Sequence, residues 1–179
     1  MAQVGASLAD IAASVDACGP TCLVVIDGRS GAGKTTLARE LAAARPAFTV
    51  LSLDQLYPGW DGLRSGADAA ITGVLGPLAE GRAGRWRGWD WEADAPAAWH
   101  EVAPGTPLII EGAGVLTPAA AALAPVRVWV EADDAVRRER ALRRDGATYE
   151  PHWDRWAAQE RQHLRTHDPR SLATHLFRL

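Results

Sequence analysis

The sequence predicts an α/β fold in which a parallel sheet is covered by helices on both faces. The apolar residues gather in five short runs, of which the first is continuous and the last is the weakest, as expected of strands that are buried on both sides. The segments between these runs are long enough for helices, and several space their apolar residues at helical intervals. The runs cover residues 22–26, 48–53, 107–110, 126–130 and 174–179.

Two helices are predicted in the first quarter of the chain. Ser7 is a suitable N-cap for a short helix in which Leu8, Ile11 and Val15 share one face, and a Gly-Pro pair ends it. Residues 35–44 are rich in alanine and leucine, which favours a second helix directly after the first strand. The chain therefore begins with a helix and a strand–loop–helix unit.

A segment of different composition, at about residues 57–104, interrupts the alternation of strands and helices. It is rich in Gly, Pro and Arg and contains five of the eight tryptophans. One helix is predicted within it, over about 65–80, and the rest is expected to be irregular. A long irregular segment in a compact domain is usually functional or disordered, and the many aromatic residues favour function.

Composition and charge narrow the class of protein. With 179 residues the chain is long enough for one well-buried core, so we expect a single domain over 1–179. The net charge of -3 argues against indiscriminate nucleic-acid binding, and no apolar run approaches the roughly 20 residues of a membrane span. We therefore expect a cytoplasmic protein with neither nucleic-acid nor membrane partners.

The strongest functional signal is the sequence G-x-x-x-x-G-K-T between the first strand and the helix at 35–44. This is the spacing of a phosphate-binding loop, and the flanking strand and helix are the context that such a loop requires. Backbone N–H groups of the loop cradle phosphate oxygens, Lys34 should reach the β- and γ-phosphates, and the Thr35 hydroxyl should ligate Mg2+. The residues expected to bind the donor are Gly28, Arg29, Ser30, Gly31, Ala32, Gly33, Lys34, Thr35 and Thr36.

Lys34 is the single lysine among 19 basic residues. No second lysine remains for a Schiff base or for the guanine-recognition element of GTPases. Arginine replaces lysine everywhere else, whereas the interior of the loop suits a slim ammonium group better than a guanidinium. The composition therefore supports a specific role for Lys34.

Two carboxylates follow predicted strands. Asp54 comes after the strand at 48–53, and Glu111 comes after the strand at 107–110. The carboxyl ends of parallel strands meet at one edge of the sheet, where ligands bind, so both side chains should lie near the γ-phosphate. We expect Asp54 to orient an acceptor hydroxyl and take its proton, and Glu111 to hold Mg2+.

A helix at 133–146 is predicted by the two capping acids that open it and the glycine that ends it. Arg137, Arg140 and Arg144 are spaced by three and four residues, so they share one face. Such a row could close over a triphosphate as part of a lid at about 133–150.

Taken together, these residues resemble the uridine kinase branch of the P-loop nucleoside and metabolite kinases. The resemblance rests on the phosphate loop, on Ser-Leu-Asp-Gln-Leu-Tyr at 52–57, on Trp-Asp-Trp at 89–91, on Ile-Glu-Gly at 110–112, and on the arginine helix. It implies a three-layer P-loop fold with a five-stranded sheet in the order 2-3-1-4-5. It also implies ATP as donor, Mg2+ as cofactor, Asp54 as general base, and Arg140 and Arg144 as lid residues. Tyr57 and Asp90 would contact the acceptor.

The leading hypothesis is a kinase that transfers a phosphoryl group to a neutral hydroxyl of a small molecule, such as uridine or cytidine. Trp60, Trp89 and Trp91 could stack on a flat acceptor. The second is a nucleoside monophosphate kinase, in which three arginines of the irregular segment would clamp the acceptor phosphate. The third is a regulatory protein that binds ATP without transfer. The three arginines are Arg82, Arg85 and Arg87.

Three further groups of residues are given structural interpretations. Cys18 and Cys22 lack the additional ligands of a zinc site and are interpreted as small core residues without a disulfide framework. His163 and His167 lack the glutamate of the zinc-protease pattern and are interpreted as a solvent-facing pair. A helical face is expected to dock onto the body of the protein. Its residues are Trp153, Trp156 and Glu160.

Overall fold

The computed structural model describes residues 3–179, with side chains from residue 5 onward. No helix in this range is long and apolar enough to cross a lipid bilayer. The strands are β1 (Gln3–Val4), β2 (Leu23–Gly28), β3 (Thr49–Ser52), β4 (Gly84–Asp90), β5 (Ala95–Val102), β6 (Leu108–Glu111), β7 (Val126–Glu131) and β8 (His175–Arg178). The helices are α1 (Leu8–Cys18), α2 (Lys34–Ala43), α3 (Leu63–Ala70), α4 (Gly76–Ala79), α5 (Pro118–Leu123), α6 (Asp134–Tyr149), α7 (Trp153–His167) and α8 (Pro169–Leu172).

Six strands form one parallel sheet in the order β1-β8-β7-β2-β6-β3. Without β1, these are the five predicted strands, and when they are numbered among themselves they lie in the order 2-3-1-4-5. The sequence does not predict β1, which pairs with β8 at one edge. The strand β2 lies between β6 and β7, so the connections from these strands run toward opposite edges of the sheet. The loop after β2 therefore lies at the topological switch point, where ligands bind in open α/β sheets.

Neighbouring residues of the central strands face opposite layers of helices. On one face, Val24 and Ile26 of β2 belong to a core with Ile11 of α1 and Leu37 of α2. On the other face, Val25 belongs to a larger core that includes residues of α3, α5 and α7. Both faces of the sheet are therefore buried, which explains the apolar runs and confirms the predicted α/β layers.

Residues 57–104 are more regular than the sequence predicts. The helix expected at 65–80 is present as α3, a π-helical segment and α4 in succession. The following residues form an antiparallel hairpin of β4 and β5, so the expectation of irregular chain is wrong there. The sequence does not predict the hairpin because most of β5 is exposed and therefore lacks the alternation of apolar residues that marks a half-buried strand.

The predicted arginine helix is present as α6. Gly146, at φ +53° and ψ -134°, breaks its helical geometry, and one further turn follows. The sequence correctly places the break at this glycine, but it does not predict the last turn. That turn carries Tyr149, a residue that contributes to the site described below.

Cys18 and Cys22 form a disulfide, with Cα atoms 5.4 Å apart, so their interpretation as unpaired core residues is wrong. Cys18 ends α1, and Cys22 directly precedes β2. The chain turns sharply between them at Gly19, whose φ of +99° suits glycine. The tight turn brings the two thiols together, and the bond ties α1 to the strand that leads into the phosphate loop.

Candidate active site

The predicted phosphate loop connects β2 to α2 in the geometry that the motif requires. Gly31 and Gly33 have φ values of +77° and +102°, which turn successive backbone N–H groups inward. Lys34 is buried, and its Nζ lies 3.2 Å from the carbonyl oxygen of Arg29. Gly33 precedes α2 without a side-chain cap, so the first N–H groups of that helix face the loop. These donors and the ammonium group fit phosphate oxygens.

Thr35 and Glu111 form a pair beside the loop. The Thr35 hydroxyl donates to Oε1 of Glu111 at 3.0 Å, and Glu111 is buried at the end of β6. Within residues 3–179 no three His, Cys, Asp or Glu side chains are grouped closely enough to hold a metal. A hydroxyl and one carboxylate fit Mg2+, which usually takes few protein ligands and completes its shell with phosphate oxygens and water.

Asp54 lies at the carboxyl end of β3, in a short 3-10 turn. Its side chain is exposed to the cleft, yet the surrounding protein restricts solvent and raises the pKa of its carboxyl. The negative charge of Glu111 adds to this rise, while Lys34 and Arg144 oppose it. The charges of Glu111, Lys34 and Arg144 therefore all act on the Asp54 carboxyl.

The three arginines of α6 have different surroundings. Arg137 is buried, and its guanidinium donates to the carbonyl oxygen of Ser30 at 2.9 Å, so it supports the loop from behind rather than closing over it. Arg140 is exposed on the same face of the helix. Arg144 makes two bonds to Asp145, of 2.8 and 2.7 Å. The charge of Arg144 acts on the Asp54 carboxyl, whereas Arg137 belongs to the framework of the loop.

The residues predicted to contact the acceptor differ in their exposure to solvent. Tyr57 is buried, and its hydroxyl donates to the carbonyl oxygen of Ala113 at 2.8 Å, so this group faces the interior. Asp90 accepts the backbone N–H groups of residues 92 and 93 and caps the hairpin turn. Trp89 is half-buried, and its indole N–H has no partner within the described chain. None of these contacts tests the predicted roles in acceptor binding.

Aromatic side chains gather beside Asp54. Trp60 stacks on His152 and Tyr149, with ring centroids 4.4 and 5.4 Å away, and lies 4.9 Å from Trp91. The indole of Trp91 donates to the backbone carbonyl of Asp54 at 2.7 Å. The sequence suggests Trp60 but not His152 or Tyr149, because only the folded chain brings the segment after Gly146 to the hairpin.

Helix α7 supports the phosphate loop through two buried polar residues. Glu160 accepts the Ser30 N–H at 2.6 Å and Nε of Arg29 at 3.1 Å. One turn later, His163 lies 2.9 Å from a carboxylate oxygen of Asp27, so the expectation of a solvent-facing histidine pair is wrong. The expected docking of this helix through Trp156 and Glu160 is present, since both side chains are buried. Sequence reasoning assigns neither Glu160 nor His163 to the site.

Asp27 links the phosphate loop to a second loop. Its carboxylate accepts the Gly28 N–H at 2.6 Å, and from the chain after β6 it accepts the N–H groups of Gly114 and Leu116 at 3.0 and 2.8 Å. With His163 it has four partners, so this buried acid is fully satisfied. The position and angle at which the loop leaves β2 are thereby fixed.

A cavity of about 650 Å3 lies beside the phosphate loop, on the side away from Asp54. Arg29 of the loop and Arg137 of α6 line it, together with residues at the carboxyl ends of β7 and β8. Its volume is in the usual range for small-molecule sites. No member of the aromatic cluster beside Asp54 is among its lining residues.

These features define the fold of the P-loop kinases. Neither family sequence models nor curated proteins yield a match to this chain. Among solved structures, it resembles a possible uridine kinase from Bacillus stearothermophilus, with a TM-score of 0.67 and 17% identity over 95% of this chain and 96% of the other. It also resembles a protein proposed to be a fructose transport system kinase, from a Silicibacter species, with a TM-score of 0.61 and 22% identity over 97% and 100% of the two chains.

Proposed function

We propose that this protein is an ATP-dependent kinase that transfers the γ-phosphoryl group to a hydroxyl of a small molecule. The observation that carries the proposal is that Lys34 and the Thr35–Glu111 pair lie at the phosphate loop, while Asp54 follows the neighbouring strand β3 just beyond Ser52, the register partner of Glu111. These residues include a base for a hydroxyl and a cation for a phosphate. The P-loop kinase fold is consistent with this chemistry but leaves the acceptor open.

The donor would bind with its phosphates on the loop and its nucleoside in the cavity of about 650 Å3. Backbone N–H groups of residues 31–35 and the Lys34 ammonium would hold the phosphate oxygens. Thr35 and Glu111 are the residues that would hold Mg2+. When bound, Mg2+ neutralises charge on the β- and γ-phosphates.

Asp54 would accept the acceptor's hydroxyl proton as the new P–O bond forms. In the same step the bond between the γ-phosphorus and the β–γ bridging oxygen breaks, and ADP leaves. Arg144, with Arg140 on the same helix face, would stabilise the charge of the phosphoryl group in transit. Arg144 must exchange its bonds to Asp145 for bonds to phosphate in order to do so.

The acceptor is proposed to be a neutral hydroxyl compound, with a nucleoside such as uridine or cytidine first. The carboxylate of Asp54 suits a hydroxyl and repels a phosphate. One structural neighbour's name points to uridine and the other's to fructose, so sugars form the second group to test.

The alternative, a nucleoside monophosphate kinase, receives less support from the hairpin. Arg82 pairs with Glu80, Arg85 lies 4.2 Å over the ring of Trp99, and Arg87 donates to the carbonyl oxygen of Ala97. These arginines are engaged within their own segment and do not form a joint phosphate clamp.

The test compares ATP turnover on uridine, cytidine and fructose with turnover on UMP and CMP at equal concentrations. We expect product formation with at least one neutral acceptor. Activity confined to the monophosphates would replace the proposal with the monophosphate kinase. ATP binding without transfer to any hydroxyl compound of a broad panel would favour the non-catalytic regulator.

A further inference from the structure

Helix α7 contacts the phosphate loop and the acceptor side of the cleft through adjacent residues. On the loop side, Glu160 is 3% exposed and binds both the Ser30 N–H and the Arg29 side chain. Arg29 also reaches Asp134 at the start of α6, so the loop is held by two helices at once. The carbonyl of the same Ser30 accepts from Arg137. Both polar groups of Ser30 are thus clamped by side chains from α6 and α7.

On the acceptor side, the preceding residue Gln159 makes the corresponding contacts. Its Oε1 accepts the backbone N–H of Leu63 at 3.3 Å, and its Nε2 donates to the carbonyl oxygen of Trp60 at 2.7 Å. One turn earlier, the ring of Trp156 meets Tyr57 edge-on at 4.8 Å. The segment 57–63, which carries Trp60 of the aromatic cluster, therefore rests on α7.

The two sets of contacts are mechanically connected. Glu160 and Gln159 are neighbours in one turn of a regular helix, so a displacement of one backbone displaces the other. A triphosphate on residues 31–35 adds negative charge close to Arg29, which is the ion-pair partner of Glu160. Arg29 is thus attracted toward the donor, while Glu160 attracts it toward α7. Donor binding would therefore act on α7 through the Arg29–Glu160 ion pair.

We propose that Glu160 is a positioning residue through which occupation of the phosphate loop orders the acceptor side of the cleft. Donor binding shifts or stiffens Glu160, α7 carries the change to Gln159, and the segment 57–63 is fixed in the conformation that receives the acceptor. The inference rests on the proposed function, because it requires a donor on the loop. Coupling of this kind is reciprocal, so an acceptor would also tighten donor binding.

The test is hydrogen exchange of the full chain with and without saturating Mg2+ and a non-hydrolysable ATP analogue. In the wild type, the analogue should protect residues 31–36 directly and residues 57–66 through α7. In Glu160→Ala, at saturation, protection of 31–36 should persist, while the added protection of 57–66 should fall by about fivefold or more, the lower end of ordinary coupling. A residue that only stabilises the fold would change exchange equally with and without the analogue.

Two further variants keep the outcome decisive. Glu139→Gln removes an exposed acid of α6 that pairs with Arg143, and it should behave as the wild type does. Gln159→Ala leaves the loop contacts intact and removes both hydrogen bonds from α7 to the segment 57–63, with only the Trp156–Tyr57 contact remaining. It should therefore lose most of the added protection of 57–66, even if Glu160→Ala fails to fold. If the analogue added equal protection to 57–66 in the wild type and in Gln159→Ala, the coupling would be overturned and the proposed function would stand. Absence of analogue binding to the wild type would overturn the proposed function as well.

Discussion

Asp54, the proposed general base, lies in surroundings that disfavour its ionised form. Restricted solvent and the nearby Glu111 raise the pKa of its carboxyl above the ordinary value. A raised pKa brings a carboxylate closer to the basicity that a general base needs at neutral pH. The same environment makes the ionised form unfavourable before substrate arrives, so the residue that serves the reaction should weaken the fold.

The first prediction concerns stability and pH. Because the pKa of Asp54 is higher in the folded than in the unfolded chain, stability from its protonated form is present at low pH and is lost as the pH rises through the raised value. Asp54→Asn should therefore raise the Tm at pH 7, and the gain should vanish below the ordinary aspartate pKa. Thermal melts across pH, with the exposed acid substitution Glu40→Gln as control, check this. A lower Tm for Asp54→Asn at pH 7 would contradict it.

The second prediction concerns Lys34. Its side chain is buried within the loop, with Nζ against the Arg29 carbonyl, so the site is sized for an ammonium group. Lys34→Arg retains the charge but introduces a planar guanidinium. We expect the transfer rate to fall by at least about a hundredfold, the scale of losing one preorganised charge contact. Arg39→Lys, an exposed change on the same helix, should have little effect. A rate within a few-fold of wild type for Lys34→Arg would remove the steric argument.

At the scale of elements, the phosphate loop and the lid helix pack without a gap. A Cβ added to Gly31 would overlap the carbonyl oxygen of Arg137, and the guanidinium of Arg137 binds the carbonyl of Ser30. The first turns of α6 are thus part of the loop's support, and the proposed lid role falls to the later turns, around Arg144. This division explains why Arg137 is buried although it shares a helical face with Arg140.

The third prediction uses two glycines with similar backbone angles. Gly31 and Gly81 have φ values of +77° and +71°, but a Cβ at Gly81 meets nothing within 4 Å. Gly81→Ala should cost about 1 kcal/mol of unfolding free energy, from the backbone angle alone. Gly31→Ala should cost about 1–3 kcal/mol more, from overpacking against α6, and should weaken donor binding. Denaturant melts and titration with the ATP analogue measure both, and equal effects of the two substitutions would show that the packing is loose.

The fourth prediction concerns the disulfide between α1 and β2. Closing so short a loop is worth about 2 kcal/mol in the chain-entropy model. Reduction should therefore lower the Tm by several degrees, and the double variant Cys18→Ala with Cys22→Ala should not respond to reductant. Melts with and without reductant, alongside thiol titration of the unfolded protein, check this. Two free thiols in the protein purified under oxidising conditions would show that the bond does not form.

In the molecule as a whole, local sequence patterns predict the central strands and the phosphate loop. The features that the sequence does not predict depend mostly on contacts between distant parts of the chain. The apolar runs of β2, β6 and β7 and the loop motif are local, so sequence alone predicts the loop between β2 and α2 and the positions of Asp54 and Glu111 at the ends of their strands. Glu160 and His163 look like ordinary helix residues until α7 is packed on the loop, where they meet Ser30 and Asp27. The strand β1 is two residues long, too short for any periodic signal.

The acceptor side shows the same limit more clearly. Tryptophans at 60, 89 and 91 suggest an aromatic site, but the rings that stack on Trp60 come from His152 and from Tyr149 beyond the lid helix. The Trp91 indole is bound to the backbone of Asp54 rather than left free for a ligand. Pairings across about 90 residues of chain follow from the fold and not from spacing, so the sequence predicts the phosphate loop better than the aromatic cluster.

In the proposed reaction, Asp54 activates a hydroxyl for attack on a phosphate held by the loop. The most direct measurement is the rate of phosphoryl transfer from ATP to the best neutral acceptor, by 31P NMR, in the wild type and in Asp54→Asn. If Asp54 is the general base, the rate should be at least about a hundredfold lower in the variant, which is the scale of general-base loss. The affinity for the ATP analogue should stay unchanged within a few-fold. An equal rate in the two proteins would contradict this role of Asp54.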